Sequence, residues 1–175
     1  MTGDASIASH ASDPQATPMS PGDLARFVAQ PLIAVLSWVT PKGEVASTPV
    51  WHEYRDGKFL IHSMSASQKN RSILKNPNVS LCIQDPAPPY RAVTVRAQAR
   101  VIDDAKVGYE LDQRLAQRYL GRVGGRYYIQ NVYPTFPGES RILELTPTRV
   151  SSFDGSAGIN PAAVFAMRAM RKLGV

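Results

Sequence analysis

Two turn signals lie close together in the first half of this 175-residue chain, and they limit the folds that it can adopt. Pro41-Lys42-Gly43 separates the apolar run 32–40 from the run 45–54, and Arg55-Asp56-Gly57-Lys58 separates the latter from residues 59–63. Each run has the length of one strand. Strands this close in sequence favour an antiparallel meander, because a parallel pair needs a crossover of a dozen or more residues.

The rest of the chain continues this pattern of short strands and adds helices. Residues 79–84 and 90–102 are predicted strands, and the second alternates so that one face is expected to be buried. Residues 141–153 are predicted as a last strand, interrupted or bulged at Pro147. The pattern predicts a mainly β fold, a small six-stranded antiparallel barrel with inserted helices. The helices are predicted at residues 21–30, 65–76, 105–120 and 160–173.

Length and composition favour one soluble domain. A hydrophobic fraction of 43% suits a globular chain, and no apolar run approaches the roughly 20 residues of a membrane helix. The N-terminus has no apolar segment typical of a secretory signal, so a cytoplasmic protein without a membrane span is expected. We expect a disordered tail at residues 1–20, one domain at 21–153, and a C-terminal extension at 154–175 that forms a helix.

The net charge of +6 favours an acidic partner. Nucleic acid, an anionic membrane face and a phosphorylated small molecule all remain open on charge alone. The basic stretches contain few interleaved aromatic residues, which argues against stacking on nucleic-acid bases. Nucleic acid is therefore the least favoured of these three partners.

The turn after the third strand offers the most specific binding signal. Ser65 and Gln68 have the spacing of a capping box, which predicts that a helix begins there. A helix N-terminus carries unpaired N–H groups and partial positive charge, so it suits a phosphate. Hydroxyls and cations surround this start, and an ordinary capped surface helix is the alternative interpretation. The candidate anion-binding side chains are Ser63, Ser65, Ser67, Lys69 and Arg71.

The chain is poor in protein-based acid–base machinery. His52 and His62 lie on neighbouring strands of a predicted hairpin and could be close. Two histidines and a single cysteine, Cys82, do not supply the ligands of a typical zinc site. No GxSxG motif and no paired carboxylates are present. Trp51 could stack on a flat cofactor or fill the core. If the protein is an enzyme, its chemistry is expected to come from a cofactor.

Several segments in this order resemble one known family. They cover about residues 24–153 and include LIAVLSWVTPKGEVASTPVW, FLIHS, SASQKNRSIL, NPNVSLCIQD, PPYRAVTVRAQARV and RILELTPTRVSSF. The pattern is similar to the pyridoxamine 5'-phosphate oxidase-like, FMN-binding split barrels, and especially to the actinobacterial branch that uses the deazaflavin F420. The resemblance implies a six-stranded antiparallel split barrel and a homodimer with one flavin-type cofactor at each interface site.

The resemblance also implies which residues hold the cofactor. The phosphate site falls at Ser63, Ser67 and Lys69, with Arg71 as a further candidate. The ring site falls at Pro49, Val50 and Trp51, flanked by His62 and Gln84. No catalytic residue is assigned, and Tyr90 or solvent is the expected proton source.

The chain departs from the family pattern at two places. Many relatives have glycine and arginine where this chain has Met64 and Ser65. The C-terminal tryptophan- and arginine-rich block of the vitamin-synthesising enzymes is absent, which disfavours vitamin B6 synthesis. The expected function is hydride transfer between reduced F420, or alternatively FMN, and a small conjugated organic substrate. A cofactor carrier without turnover is the rival function.

Overall fold

The computed structural model describes residues 9–11 and 17–173, and one sheet dominates it. Its strand order is β3-β2-β6-β7-β8-β5-β4, all antiparallel, and the short β1 pairs in parallel with β8. The fold is mainly β, as predicted, but it has seven antiparallel strands where six were expected. The strands are β1 (Ser9–Ala11), β2 (Ala34–Val39), β3 (Val45–Val50), β4 (His52–Arg55), β5 (Lys58–Met64), β6 (Asn78–Gln84), β7 (Arg91–Ile102) and β8 (Ser140–Asp154).

The additional strand arises because the run 45–54 does not form one strand. It is divided at Trp51: β3 pairs with β2 at one end of the sheet, and β4 pairs with β5 at the other. A single residue therefore joins the two edges of the sheet. This link is possible only if the sheet curls until its edges approach each other, which gives the split barrel.

Both predicted hairpins are present. Gly43 in the first turn has φ of 85°, and Asp56 and Gly57 in the second have φ of 50° and 76°. Two successive positive φ values are the requirement of a type I′ turn, which explains the Asp-Gly signal. The bulge expected near Pro147 also occurs, since the β7–β8 register shifts between Arg96 and Ala97.

Four helices lie around the sheet, and no helix among the described residues is long and apolar enough to span a membrane. The longest one breaks from helical geometry at Gly121, whose φ is 73° and ψ is 174°. It continues into a π-helical turn, Tyr128–Val132, and a 3-10 turn, Tyr133–Thr135. The helices are α1 (Pro21–Val28), α2 (Gln68–Lys75), α3 (Ala105–Tyr127) and α4 (Pro161–Leu173).

The alternating side chains of the strands divide the apolar residues between two clusters. The larger one fills the barrel interior and includes Leu36, Leu81 and Val95, all fully buried. The smaller one lies between α3 and the outer face of the sheet, where Leu111 and Leu115 pack against Ile142. The outer face of β5 thus lies under α3, and this arrangement positions the site described below.

The ends of the chain pack against the barrel where the structure describes them. Most of the predicted tail 1–20 lies outside the described residues, but Met19 is buried and its N–H donates to Ser152 Oγ at 2.9 Å. The helix expected within the C-terminal extension is present as α4. Its Arg168 contacts Asp85 at 2.9 Å, and Asp85 also binds Arg91, so α4 is attached to the β6–β7 connection.

Candidate active site

A cavity of about 240 Å³ lies where the two edges of the sheet meet. Its wall is formed by the end of β3, the outer face of β5, the first turn of α2, and α3 with the turns that follow it. The apolar part of the lining consists of Ile33, Pro49, Val50, Trp51 and Leu115. The polar part consists of His62, Lys69, Asp112, Tyr128 and Tyr133.

The Trp51 ring is fixed within an aromatic group at the cavity wall. It stacks on Tyr119 with centroids 5.0 Å apart and planes 9° apart, and Tyr128 is tilted against it at 5.3 Å. Trp51 also packs against the smaller apolar cluster. The Trp51 ring therefore fills packing space, as one of the two interpretations from sequence expected, and it also lines the cavity; stacking on a cofactor stays a prediction.

His62 contacts a buried carboxylate. Its Nδ1 lies 2.6 Å from Asp112 Oδ1 as an ion-pair contact that does not have hydrogen-bond geometry, and Asp112 is 4% exposed. Ser140 Oγ donates to the other oxygen, Asp112 Oδ2, at 2.6 Å. Nδ1 is thus directed at Asp112, and Nε2 is the ring nitrogen left for a ligand.

His52 and His62 do not form one site, although they lie on adjacent strands. His52 is opposite Ile61 in the β4–β5 register, so its side chain shares a face with Ile61 and not with His62. His52 is fully buried, with Nε2 3.1 Å from the Val28 carbonyl oxygen. The expectation that the two rings could be close is therefore wrong.

Lys69 places a positive charge at the cavity wall. The residue lies in the first turn of α2 and is partly buried, and this burial lowers the pKa of its ammonium group. No ion pair among the described residues includes Lys69. A partly desolvated cation without a carboxylate partner interacts more strongly with an entering anion than a solvated one does.

Two tyrosine hydroxyls complete the polar lining. Burial raises the pKa of Tyr128 and Tyr133, and the negative charge of Asp112 acts in the same direction on both. The Tyr133 ring makes an edge contact with the His62 ring at 6.4 Å. Both hydroxyls therefore keep their protons at neutral pH.

Ser63 does not reach the cavity. Side chains alternate along β5, so Ser63 points to the barrel interior while His62 points outward. Ser63 is fully buried and its hydroxyl donates to Asn70 Oδ1 at 2.7 Å, while Asn70 Nδ2 donates to the Met64 carbonyl at 2.9 Å. The hydroxyl holds α2 against β5, which leaves it unavailable to a ligand in the cavity.

The predicted helix start was placed two residues too early. Helix α2 begins at Gln68 with Ser67 as its N-cap, and the Ser67 side chain makes no capping bond. Ser65 Oγ instead accepts the N–H of Glu139 at 3.0 Å. A tertiary contact thus engages the hydroxyl that the capping-box pattern assigned to the helix.

Two further predicted residues lie away from the cavity. Arg71 is exposed on a different side of α2, where it lines a shallow surface groove with Pro41 and Leu74. Gln84 is exposed at the end of β6. Tyr90, the suggested proton source, is 59% exposed and does not line the cavity either.

Sequence reasoning missed the contribution of α3 and the turns after it. Leu111 and Leu115 lie on the buried side of α3, and the sequence places Asp112 beside them. A carboxylate within an apolar stripe is a signal of a buried functional group. Tyr128 and Tyr133 follow α3 in a segment for which neither a helix nor a strand was predicted. Asp112, Tyr128 and Tyr133 are three of the five polar residues that line the cavity.

A curled antiparallel sheet with a cavity where its edges meet defines the class of split-barrel proteins. A family model described as pyridoxamine 5'-phosphate oxidase matches residues 21–154. The chain therefore belongs to the pyridoxamine 5'-phosphate oxidase family. A search of proteins with curated descriptions found no match to this chain.

Solved structures share the fold. One named F420 reductase is 25% identical, with a TM-score of 0.59, and the match covers 72% of this chain and 94% of that chain. A conserved hypothetical protein from Mycobacterium tuberculosis is 19% identical, with a TM-score of 0.66 and coverage of 100% and 94%. A FAD-binding protein from Mesorhizobium loti is 15% identical, with a TM-score of 0.57 and coverage of 79% and 96%. The last two likenesses concern the fold alone.

Proposed function

We propose that this protein is an oxidoreductase that binds F420, or alternatively FMN, and reduces a small conjugated organic substrate. The observation that carries the proposal is the partly buried Lys69 ammonium at the wall of an apolar cavity lined by Trp51. Such a cavity suits a ligand with a flat ring at one end and an anion at the other. A flavin or deazaflavin phosphate has this form.

The lining residues fit the two parts of such a cofactor. Lys69 binds the phosphate as a charged donor, assisted by the free main-chain N–H groups at the start of α2. Pro49, Val50 and Trp51 contact the ring, and His62 flanks it. Four predicted residues are left out of this assignment because they do not line the cavity: Ser63, Ser67, Arg71 and Gln84.

When bound, the reduced cofactor supplies a hydride to the substrate. The contribution of the protein is to bind and orient both molecules and to exclude water from the apolar wall. Cytoplasmic location and the absence of nucleic-acid partners remain expectations from the sequence.

We also propose that the site is completed by a second copy of the chain. A volume of about 240 Å³ is below the roughly 300–1,000 Å³ of typical ligand clefts, so the cavity holds only part of a cofactor. Ile33 at the cavity wall is 49% exposed, which leaves apolar surface for a partner to cover. Light scattering on the purified protein should give a dimer, and a monomer at micromolar concentration would contradict this part.

Two observations favour F420 over FMN. The structure named F420 reductase reaches 25% identity over most of its length. The net charge of +6 suits a cofactor that carries a polyglutamate tail in addition to a phosphate.

Fluorescence titration of the purified protein with F420 and FMN side by side tests the cofactor. We expect saturable binding, tighter for F420, and no binding of either would contradict the proposal. Turnover with a panel of enones, quinones and nitroaromatics then separates an enzyme from a carrier. Tight binding without oxidation of the reduced cofactor across the panel would favour the carrier.

A further inference from the structure

The buried carboxylate of Asp112 requires an explanation beyond packing. Burying an ionised group is costly unless it is paired and hydrogen-bonded. Asp112 Oδ1 lies 2.6 Å from His62 Nδ1, Oδ2 accepts a hydrogen bond from Ser140 Oγ at 2.6 Å, and the Tyr133 hydroxyl also interacts with the carboxylate. These contacts hold the carboxylate in one orientation, with Oδ1 facing a histidine of the cavity wall.

Resting on the proposed function, we propose that His62 is the catalytic acid that protonates the reduced substrate, and that Asp112 is the positioning residue that holds its ring. Asp112 Oδ1 lies 2.6 Å from Nδ1, so the charge of the carboxylate favours the form of the ring that carries a proton on Nδ1. Nε2 is then the nitrogen available to a molecule in the cavity. The substrate class that needs this arrangement is a neutral enone or a similar conjugated carbonyl compound.

The step balances as follows for an enone. The hydride forms a new C–H bond at the β carbon, and the electron pair of the C=C bond moves onto the carbonyl oxygen as an enolate. The Nε2–H bond of protonated His62 breaks, its proton passes to the enolate, and a saturated carbonyl compound results. Water returns a proton to His62. The two electrons of the hydride would come from the reduced F420 or FMN of the proposed function.

The groups around His62 agree with this assignment. On its own strand, β5, its flanking residues Ile61 and Ser63 point to the opposite face. Asp112 faces it from α3 with negative charge, and Lys69 faces the same cavity from α2 with positive charge. Tyr128 and Tyr133, from the turns after α3, hold neutral hydroxyls. Asp112 is therefore the only anionic group of the described cavity lining, and it contacts His62.

A matched pair of substrates tests the role of His62. Reduction of an enone needs both a hydride and a proton, whereas reduction of the N-methylacridinium cation needs a hydride alone. His62→Gln keeps an amide donor for Asp112 but has no proton to transfer. We expect the ratio of kcat for the enone to kcat for acridinium to fall about 100-fold, as for loss of a general acid.

Three outcomes overturn the inference. An unchanged ratio in His62→Gln removes His62 as the acid, and a fall in Tyr133→Phe alone assigns the proton to Tyr133. A wild-type protein that binds neither cofactor overturns the proposed function and this inference together. If the wild-type protein turns over and His62→Gln keeps its ratio of kcat for the enone to kcat for acridinium, only the inference is overturned. The two failures are therefore distinguishable.

Asp112→Asn tests the positioning role, with the exposed Asp103→Asn as its control. We expect the same ratio to fall about 10-fold in Asp112→Asn and to stay within twofold in Asp103→Asn. A second readout needs no cofactor: ring ¹⁵N shifts of neutral His62 in the wild-type protein should show the proton on Nδ1. A proton on Nε2 instead, or equal ratios in the two Asp variants, would contradict the role of Asp112.

Discussion

The ring of Trp51 lies parallel to the ring of Tyr119, with 5.0 Å between their centroids. Trp51 is the residue that joins β3 to β4 and so connects the two edges of the sheet. The Tyr119 hydroxyl lies 2.9 Å from the Leu32 carbonyl oxygen and accepts the backbone N–H of His52 at 3.1 Å. Helix α3 is thereby attached at the point where the barrel closes and the cavity begins.

Tyr119→Phe should destabilise the protein while it keeps the stacked ring. The change leaves a buried N–H and carbonyl without their partner, which costs about 1–3 kcal/mol of unfolding free energy. Urea unfolding measures the loss, and the matched control is Tyr127→Phe, whose side chain is 64% exposed. Equal stabilities of the two variants would show that the hydroxyl contacts are not important.

His52 should make the protein less stable in mild acid. Burial lowers the pKa of His52 to about 4 from an ordinary 6.5. Between these values the unfolded chain binds more protons, so unfolding free energy is highest above pH 6.5 and falls as the pH drops. The loss from this group reaches about 3 kcal/mol near pH 4, at 1.36 kcal/mol for each unit of pKa.

Urea unfolding at pH 7.5 and pH 4.5 checks the contribution of His52. The difference between the two pH values should be smaller in His52→Gln than in the wild type. Lys75→Ala, a change of an exposed residue that does not titrate in this pH range, is the control, and it should keep the wild-type difference. A difference that is the same in His52→Gln as in the wild type would contradict the prediction.

Gly121 should resist substitution for a backbone reason. Its φ of 73° and ψ of 174° lie in a region that only glycine adopts readily, although a Cβ there would meet no atom within 4 Å. Gly121→Ala should cost about 1–3 kcal/mol of unfolding free energy. Gly22→Ala in α1 is the control, since alanine is favoured in a helix and should be neutral or stabilising there. Thermal or urea unfolding measures both variants, and equal stabilities of Gly121→Ala and the wild type would contradict the prediction.

The sequence predicted those parts of the fold that local patterns determine. The Asp56-Gly57 turn has its own chemical signal, and the alternation along β7 correctly identified Val93 and Val95 as buried. The break at Trp51 could not be read in this way, because β3 and β4 continue the same alternation. What separates them is pairing with strands that are distant from each other in the sheet.

In the site, too, the features that depend on local sequence patterns were predicted, and those that depend on contacts between distant segments were not. The apolar residues of the cavity and Lys69 came from segments whose strand or helix was predicted, so their positions were close to expectation. Ser63 was predicted from the family resemblance, and its side chain lies on the interior face of β5 because side chains alternate along a strand. Asp112 was missed because its importance depends on a contact with His62, which lies 50 positions earlier in the chain.

The most direct test of the central claim is the affinity for F420 of the Lys69→Ala variant. Loss of a charged partner of the phosphate should weaken binding by about 1–3 kcal/mol, or roughly 5- to 150-fold in Kd. Lys75→Ala is the matched control, because Lys75 is exposed in the last turn of the same helix. Fluorescence titration should show weak binding in Lys69→Ala and wild-type binding in Lys75→Ala. A Kd for Lys69→Ala equal to that of the wild type would place the anion elsewhere and contradict the account.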